Sequence, residues 1–241
     1  MPHFPSLRSL LFPPRCAACG ELLHPCSAPS EALCPICRAA WETAMAEAAG
    51  QAAADAARGT VYLTFYHSGQ TNGVPERLIY HMKHRGDPRA FAFVAARLAP
   101  RVMTLVGAQT PCADECDTVS PILFTYPPRH PVAIRRDGFD QAARLAQALA
   151  KACGGELAPR IRRDRRSKEE QKHLDAAARA ENARLAFRLD TSDSRFLHGR
   201  TVVVCDDIRT TGATLNRCAE LLREAGAVRV ISVTVAQTHS P

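Results

Sequence analysis

Apolar positions carry little period in the first part of the chain and alternate between strand and helix spacings from residue 60 onward. Val61-Tyr62-Leu63-Thr64-Phe65-Tyr66 concentrates β-branched and aromatic side chains and predicts a strand. Pro75 to Lys83 predicts a helix, with the proline in the first turn, where a missing N–H costs nothing. Phe91, Val94, Ala95 and Leu98 fall at i, i+3, i+4 and i+7, one face of a second helix. Thr118 to Phe124 predicts a strand that leads into a proline-rich loop from Tyr126 to Pro131. Phe139, Ala142, Ala146 and Leu149 form another helical stripe, ended near Gly154-Gly155. Thr201 to Cys205 is an unbroken apolar run, the kind buried on both faces of a parallel sheet. Leu215, Cys218, Leu222 and Ala225 make the next helix, Gly226 stops it, and Val228 to Val235 is a last strand. The fold class that follows is α/β, a mostly parallel sheet flanked by helices, with a βαβ unit over residues 201–235 as its clearest part.

The first 41 residues follow a different logic. They are rich in Cys and Pro, and hold the only tryptophan, Trp41. Cys16-x2-Cys19 and Cys34-x2-Cys37 are 14 residues apart, which suits a tetrahedral four-cysteine zinc site at the edge of the usual spacing. A segment this poor in core residues needs such a staple, and Gly20 suits the tight turn beside it. His24 and Cys26 lie between the pairs and could replace a ligand, and four unrelated buried thiols are the alternative. Zinc held by four thiolates has no open position and would be structural. Glu42 to Arg58 is dominated by alanine and contains Gly50. It predicts a solvent-facing helical linker or a helix packed through small side chains. The chain therefore divides into a zinc-binding module (1–41), a linker (42–58) and an α/β domain (59–241).

Composition narrows the setting. In 241 residues, 46% hydrophobic and 23% charged content is that of a globular chain. No run of about 18 apolar residues stands out, and Met1 to Phe12 has no long apolar leader, so the expectation is a cytoplasmic protein without membrane insertion. Ten cysteines then point to metal or buried thiols rather than disulfides. Cys112 and Cys116 read as free thiols, and Cys153, Cys205 and Cys218 as core. A formal charge of +7 suits an anionic partner, a phosphorylated metabolite or a nucleic acid. Arg160, Arg162, Arg163, Arg165, Arg166 and Lys168 crowd into nine residues. That run is a solvated segment, a loop that closes over a diphosphate, or a track for a nucleic-acid backbone.

The chemistry concentrates in Val202-Val203-Val204-Cys205-Asp206-Asp207-Ile208-Arg209-Thr210-Thr211-Gly212-Ala213-Thr214. A buried strand, two carboxylates and a Thr/Gly turn that opens a helix form a phosphate-site layout. Ligands of open α/β sheets bind at the carboxyl ends of strands, where the amides of a helix N-terminus favour phosphate. Asp206 and Asp207 accept hydrogen bonds from sugar hydroxyls, Thr210, Thr211 and Thr214 supply hydroxyl donors, and Gly212 allows close approach. The run matches neither GxGxxG nor the Gly-Lys-Ser/Thr phosphate loop.

This segment resembles the ribose-5-phosphate loop of type I phosphoribosyltransferases. The resemblance implies that Asp206 and Asp207 hold the ribose of phosphoribosyl diphosphate while Thr210, Thr211, Gly212, Ala213 and Thr214 wrap its 5-phosphate. Arg209 stands where that family usually has an apolar residue. Together with the four-cysteine module, nearly the whole chain resembles the ComF family. His81-Met82-Lys83-His84-Arg85-Gly86-Asp87 is similar to a Leu-Lys-Tyr-x-Gly-Asp segment of that family. Arg136-Asp137-Gly138-Phe139-Asp140-Gln141 is similar to its Arg-Gly-Phe-Asn-Gln segment, and Gln171, Leu174, Arg179, Asn182 and Phe187 follow its later spacing. Asp137 replaces an arginine of the pattern, Asp140 an asparagine, and Ser120-Pro121-Ile122 stands for Pro-Val-Pro. Two added acids beside an anion weaken its binding unless Arg135 or Arg136 compensates.

The resemblance adds Lys83 and Arg136 as ligand contacts, Mg2+ as companion of the diphosphate, and phosphoribosyl transfer to an unnamed acceptor, with a family role in DNA uptake. No general base is assignable. The alternative is a non-catalytic competence module that binds single-stranded DNA or a competence protein and keeps the phosphoribosyl site for regulation.

Overall fold

The computed structural model describes residues 12–24, 28, 31–69, 72–107, 121–164, 185–190 and 196–238. Its main sheet is parallel throughout. Strands β1 (Thr60–Val61) and β2 (Thr64–Tyr66) both lie along β8 (Arg229–Thr238), which is followed by β7 (Thr201–Arg209), β3 (Leu123–Thr125) and β4 (Glu156–Leu157). A separate antiparallel pair joins β5 (Ile161–Arg163) to β6 (Phe187–Leu189).

The apolar run of residues 61–66 is thus two strands and not one. Register does not slip across the break, since Val61 pairs with Val233 and Thr64 with Ala236. The Tyr62 carbonyl is diverted to the Arg101 guanidinium, and the Tyr62 hydroxyl donates to Asp55 at 3.2 Å.

Strand β7 is sandwiched as its sequence predicts. Val203 and Cys205 belong to one apolar cluster, shared with helices α2 (Val74–His84), α3 (Pro88–Gly107) and α5 (Gln141–Cys153). Val202 and Val204 belong to the other, with Leu215, Cys218 and Leu222 of α6 (Ala213–Glu224). The two-residue repeat of a strand produces this division. Cys205 and Cys218 are fully buried, and Cys153 is half-buried.

Helix α1 (Pro35–Ala56) starts inside the cysteine-rich segment and runs through the alanine tract without a break at Gly50. Pro35 occupies its first turn, and Trp41 is fully buried, meeting Phe93 edge-on at 5.6 Å between centroids. Ala48 and Ala52 pack on Tyr62, so small side chains let this helix approach the sheet. Cys16, Leu33 and Trp41 share one apolar cluster with Leu78, Phe93 and Val203.

Two further differences from the sequence pattern have local causes. Helix α4 (Pro131–Asp137), which the sequence pattern did not predict, starts at the last residue of the expected proline-rich loop, because Pro131 favours a first turn and His130 Nδ1 accepts from the Val132 amide at 3.3 Å. Strand β3 begins at Leu123, later than Thr118, and residues 118–120 of that expectation lie outside the described ones. Helix α3 is long and apolar enough, by length and composition, to cross a membrane, with mean hydropathy 1.4. Here its Phe91, Phe93, Val94, Leu98 and Val102 are core residues.

Phe139 precedes α5 and does not belong to it. Asp140 is the cap, accepting from the amides of Ala142 at 3.0 Å and Ala143 at 3.3 Å, and its other oxygen accepts from the Arg129 amide at 2.9 Å. Asp140→Ala removes all three contacts and should cost about 1–2 kcal/mol, a fall in Tm of roughly 2–4 °C per kcal/mol for a chain of this size. A melting curve within 1 °C of the wild type would contradict this role.

Candidate functional site

The carboxyl end of β7 is where the chain changes from apolar to charged. Alternation puts Asp207 on the Val203/Cys205 face, which α2 and α5 cover, and Asp206 on the opposite face. Each side chain turns back onto the next amide: Asp206 Oδ1 accepts from Asp207 N at 2.8 Å, and Asp207 Oδ1 from Ile208 N at 2.7 Å. Asp207 is buried, and its Oδ2 receives the Lys83 ammonium at 3.1 Å and the Gln141 amide at 3.2 Å. Burial on its own would pull the Lys83 pKa down. The carboxylates of Asp207 and, beyond it, Asp206 outweigh that and hold it above the ordinary lysine value. Carboxylate oxygens carry two lone pairs each, so capacity remains for hydroxyl donors.

The turn that follows is open on one side and clamped on the other. Thr210 and Thr211 are exposed, whereas Gly212 is buried with φ +76°, a left-handed conformation that disfavours any side chain. Gly212 is also the N-cap of α6 and offers no side-chain cap, so the first amides of that helix rely on nearby groups. One of them, Ala213 N, reaches the Thr211 hydroxyl at 3.4 Å. Thr214 is half-buried in the first turn. Behind the turn, the Thr238 hydroxyl donates to the carbonyls of Arg209 at 3.3 Å and Thr210 at 3.4 Å.

The two other sequence segments meet beside this edge. Gly86, at φ +61°, lies under Phe139: a Cβ there would come within 2.9 Å of the ring. Arg144 covers the same ring at 4.3 Å and donates to the Gly86 carbonyl. Lys83 is brought to the acidic pair, but Arg136 is not. Its guanidinium forks onto its neighbour Asp137, Nε to Oδ1 at 3.0 Å and Nη2 to Oδ2 at 3.2 Å. Arg129 reaches the same carboxylate at 2.9 Å, and His84 Nδ1 lies 3.8 Å away. The two acids that depart from the family pattern are therefore both engaged, Asp137 by cations and Asp140 as a helix cap.

Gln237 and Thr238 surround the site without having been singled out, and Gln141 and Arg209 stood in the matched segments without an assigned role. Gln141 was visible as the residue after the cap of α5. Arg209 and Gln237 become neighbours only through the β7–β8 register.

Of the basic run, Arg160, Arg162 and Arg163 are described and are all engaged. Arg160 stacks on Phe196 at 3.8 Å, Arg162 pairs with Asp190 at 2.6 Å, and Arg163 lies 5.2 Å from the Phe187 centroid. Arg165, Arg166, Lys168, Gln171, Leu174, Arg179, Asn182, Cys26, Cys112 and Cys116 lie outside the described residues.

Away from the acidic pair in sequence, the sulfurs of Cys16, Cys19, Cys34 and Cys37 all lie within 4.8 Å of one another, so the cluster could hold a metal ion. Cys19 and Cys34 sulfurs are 3.7 Å apart, far beyond a disulfide bond of about 2.05 Å. Four ligands at about 2.3 Å in a tetrahedron put sulfurs roughly 3.8 Å apart, so the residues fit zinc. Burial raises the Cys16 thiol, but the backbone amides of Cys19, Cys34 and Ala18 outweigh it and bring the pKa down to about 7. Burial and the neighbouring thiols push Cys37 up. Arg89 ties the segment between the two pairs to α3, donating to the Glu31 carbonyl at 2.7 Å.

Residues 122–241 match the phosphoribosyl transferase domain family. Over 95 residues the chain is 36% identical to the DNA utilization protein YhgH of Salmonella typhi, covering 39% of this chain and 40% of that protein. It is 34% identical to competence protein F of Haemophilus influenzae, covering 39% and 41%. The matched stretch thus spans about two fifths of these relatives. Among solved structures, the glutamine phosphoribosylpyrophosphate amidotransferase of B. subtilis is 18% identical with a TM-score of 0.38, covering 65% of this chain and 30% of that one. A Trypanosoma cruzi hypoxanthine phosphoribosyltransferase bound to IMP is 15% identical with a TM-score of 0.38, covering 62% and 65%.

Asp137 supplies a pH test of the site's support. Its Arg136 hydrogen bonds, followed by the nearby Arg129, prevail over burial and lower its pKa to about 2. A depressed folded-state pKa stabilises above the unfolded value of about 4, and that contribution is lost as pH falls toward 2. Acid unfolding should therefore steepen between about pH 4 and 2, and Asp137→Asn should flatten that limb. Identical acid limbs in both proteins would rule the assignment out.

Proposed function

We propose that this chain, whose residues 122–241 match the phosphoribosyl transferase domain family, is a ComF-type protein with a site for phosphoribosyl diphosphate, and that it transfers the ribose phosphate to an acceptor. What supports this is one juxtaposition: a carboxylate pair at the end of a buried strand runs directly into an open threonine turn with Gly212 at the head of α6. Asp206 and Asp207 take the ribose hydroxyls. Thr210, Thr211 and Thr214, with the main-chain amides of Gly212 and Ala213, take the 5-phosphate.

Transfer breaks the bond from the anomeric carbon to diphosphate, so the chain must hold the sugar still and offset charge on the leaving group. Among the described residues Lys83 is the cation paired with Asp207, and on ligand binding it can trade that carboxylate for the diphosphate. Arg136 is a weaker candidate for the same task because Asp137 already occupies its fork. Mg2+ bound to the donor would neutralise diphosphate oxygens. The hard oxygen donors of the acidic pair suit that ion, with the diphosphate supplying most of its ligands. Zinc on Cys16, Cys19, Cys34 and Cys37 would be structural and would fix the start of α1.

A second reading follows from the names of the relatives and the net charge of +7: the protein binds single-stranded DNA or a competence protein, and a ribose phosphate regulates it. Engagement of Arg160, Arg162 and Arg163 by their own neighbours places that activity second.

Calorimetric titration with phosphoribosyl diphosphate and Mg2+ should show binding. Asp206→Asn with Asp207→Asn should weaken it by about 100-fold, the loss of two charge-assisted hydrogen bonds. Unchanged affinity in the double variant rejects the site. Release of diphosphate on adding nucleobases favours transfer, and salt-sensitive single-strand binding without release favours the second reading. Elemental analysis should give about one zinc per chain, lost with Cys16→Ser. Less than about half an equivalent in the wild type counts against the metal site.

A further inference from the structure

Arg209 lies inside the phosphate-site run and has no part in the reading above. Register places it opposite Gln237 on β8. Its Nη1 donates to Gln237 Oε1 at 3.0 Å, and Gln237 Nε2 donates to Asp55 Oδ2 on α1 at 3.3 Å. That carboxylate oxygen also accepts from the Tyr62 hydroxyl at 3.2 Å and from Gln51 Nε2 at 3.2 Å. The Gln237 amide can face only one way here. Turned over, it would set its NH2 against a guanidinium and its oxygen against a carboxylate.

The other edge of the guanidinium rests on the turn. Nε and Nη2 lie 2.8 and 2.9 Å from the point a Cβ on Gly212 would occupy. Gly212 is therefore needed twice, for its positive φ and for the clearance Arg209 uses. The carbonyls of Arg209 and Thr210 share the single hydroxyl proton of Thr238, at 3.3 and 3.4 Å. A guanidinium charge is thus pinned against the turn, by contacts that reach the long N-terminal helix.

We infer that Arg209 is a positioning residue of the phosphate turn, and that Asp55, acting through Gln237 and Arg209, sets how tightly the turn holds a phosphate. This rests on the proposed phosphate site. Fixed positive charge beside converging amides favours an anion over a neutral hydroxyl, and a pre-shaped turn avoids an ordering cost on binding. Asp55 never touches the ligand in this scheme; its influence passes through two side chains.

The test is isothermal titration of the full chain with ribose 5-phosphate, using wild type, Arg209→Leu, Arg209→Lys, Asp55→Asn and the Asp55→Asn/Arg209→Leu double variant. Arg209→Leu should weaken binding about tenfold, the loss of one charge-assisted contact. Arg209→Lys should recover part of the loss, because it keeps the charge but not the fork. Asp55→Asn should weaken binding by a smaller factor in the wild-type background and by none in the Arg209→Leu background, while lowering Tm equally in both. A purely structural Asp55 would instead weaken binding by the same factor in both backgrounds, which overturns the inference. If Thr211→Ala weakens binding and Arg209→Leu does not, the inference fails while the phosphate site stands. Absence of ribose 5-phosphate binding by the wild type rejects the site and this inference with it.

Discussion

Strand β7 runs between β8 and β3 and is covered on both faces, so Val202 through Cys205 have no contact with water. Charge cannot sit in that stretch without a large desolvation cost, and it first appears at the strand's carboxyl end, half-buried at Asp206 and buried but paired at Asp207. Asp206 and Asp207 stand there, and the chain must then turn sharply to bring α6 back against the Val202/Val204 face. Gly212 makes that turn. The position of the carboxylates, the opening of the threonine turn and the helix N-terminus all follow from the double burial of one strand.

Keeping a buried carboxylate at that edge requires compensation, which comes from distant parts of the chain. Lys83 arrives on α2 and Gln141 on α5, and the segments just after α2 and just before α5 meet where Phe139 covers Gly86. Asp140 fixes the start of α5 and so the height of Gln141. Asp137 gathers the guanidinium groups of Arg129 and Arg136, with His84 of α2 3.8 Å away, so two fixed positive charges surround one carboxylate. Of the two acids that would oppose an anionic ligand, Asp137 is offset by arginines and Asp140 is occupied by main-chain amides.

Helix α1 connects the two chemical ends of the molecule. It begins at the cysteine cluster, buries Trp41 against Phe93, and near its far end presents Asp55 to Gln237 and Tyr62. Its alanines serve as the packing surface that lets the helix lie close enough for those hydrogen bonds to form. The cysteine segment shares an apolar cluster with the sheet, so fixing the sulfurs also fixes one wall of the α/β domain's core.

The strand–acid–turn–helix order, the four-cysteine spacing and the amphipathic stripes of α3, α5 and α6 were legible in the sequence, because each is a local pattern with a period or a motif to carry it. The extent of α1, the break between β1 and β2, and helix α4 were not. A helix that packs through alanines has no apolar stripe, and the break exists because Arg101 captures the Tyr62 carbonyl from another element. Pairings that decide the site were likewise invisible. Arg209 meets Gln237 through strand register, Asp207 meets Lys83 and Gln141 through helix packing, and Arg136 is drawn to Asp137 and not to the acidic pair. Sequence determined which residues could carry the chemistry, since residue type and short spacing are written in the chain. Tertiary structure alone decided which of them share a neighbourhood, because that depends on contacts between segments separated by tens of residues.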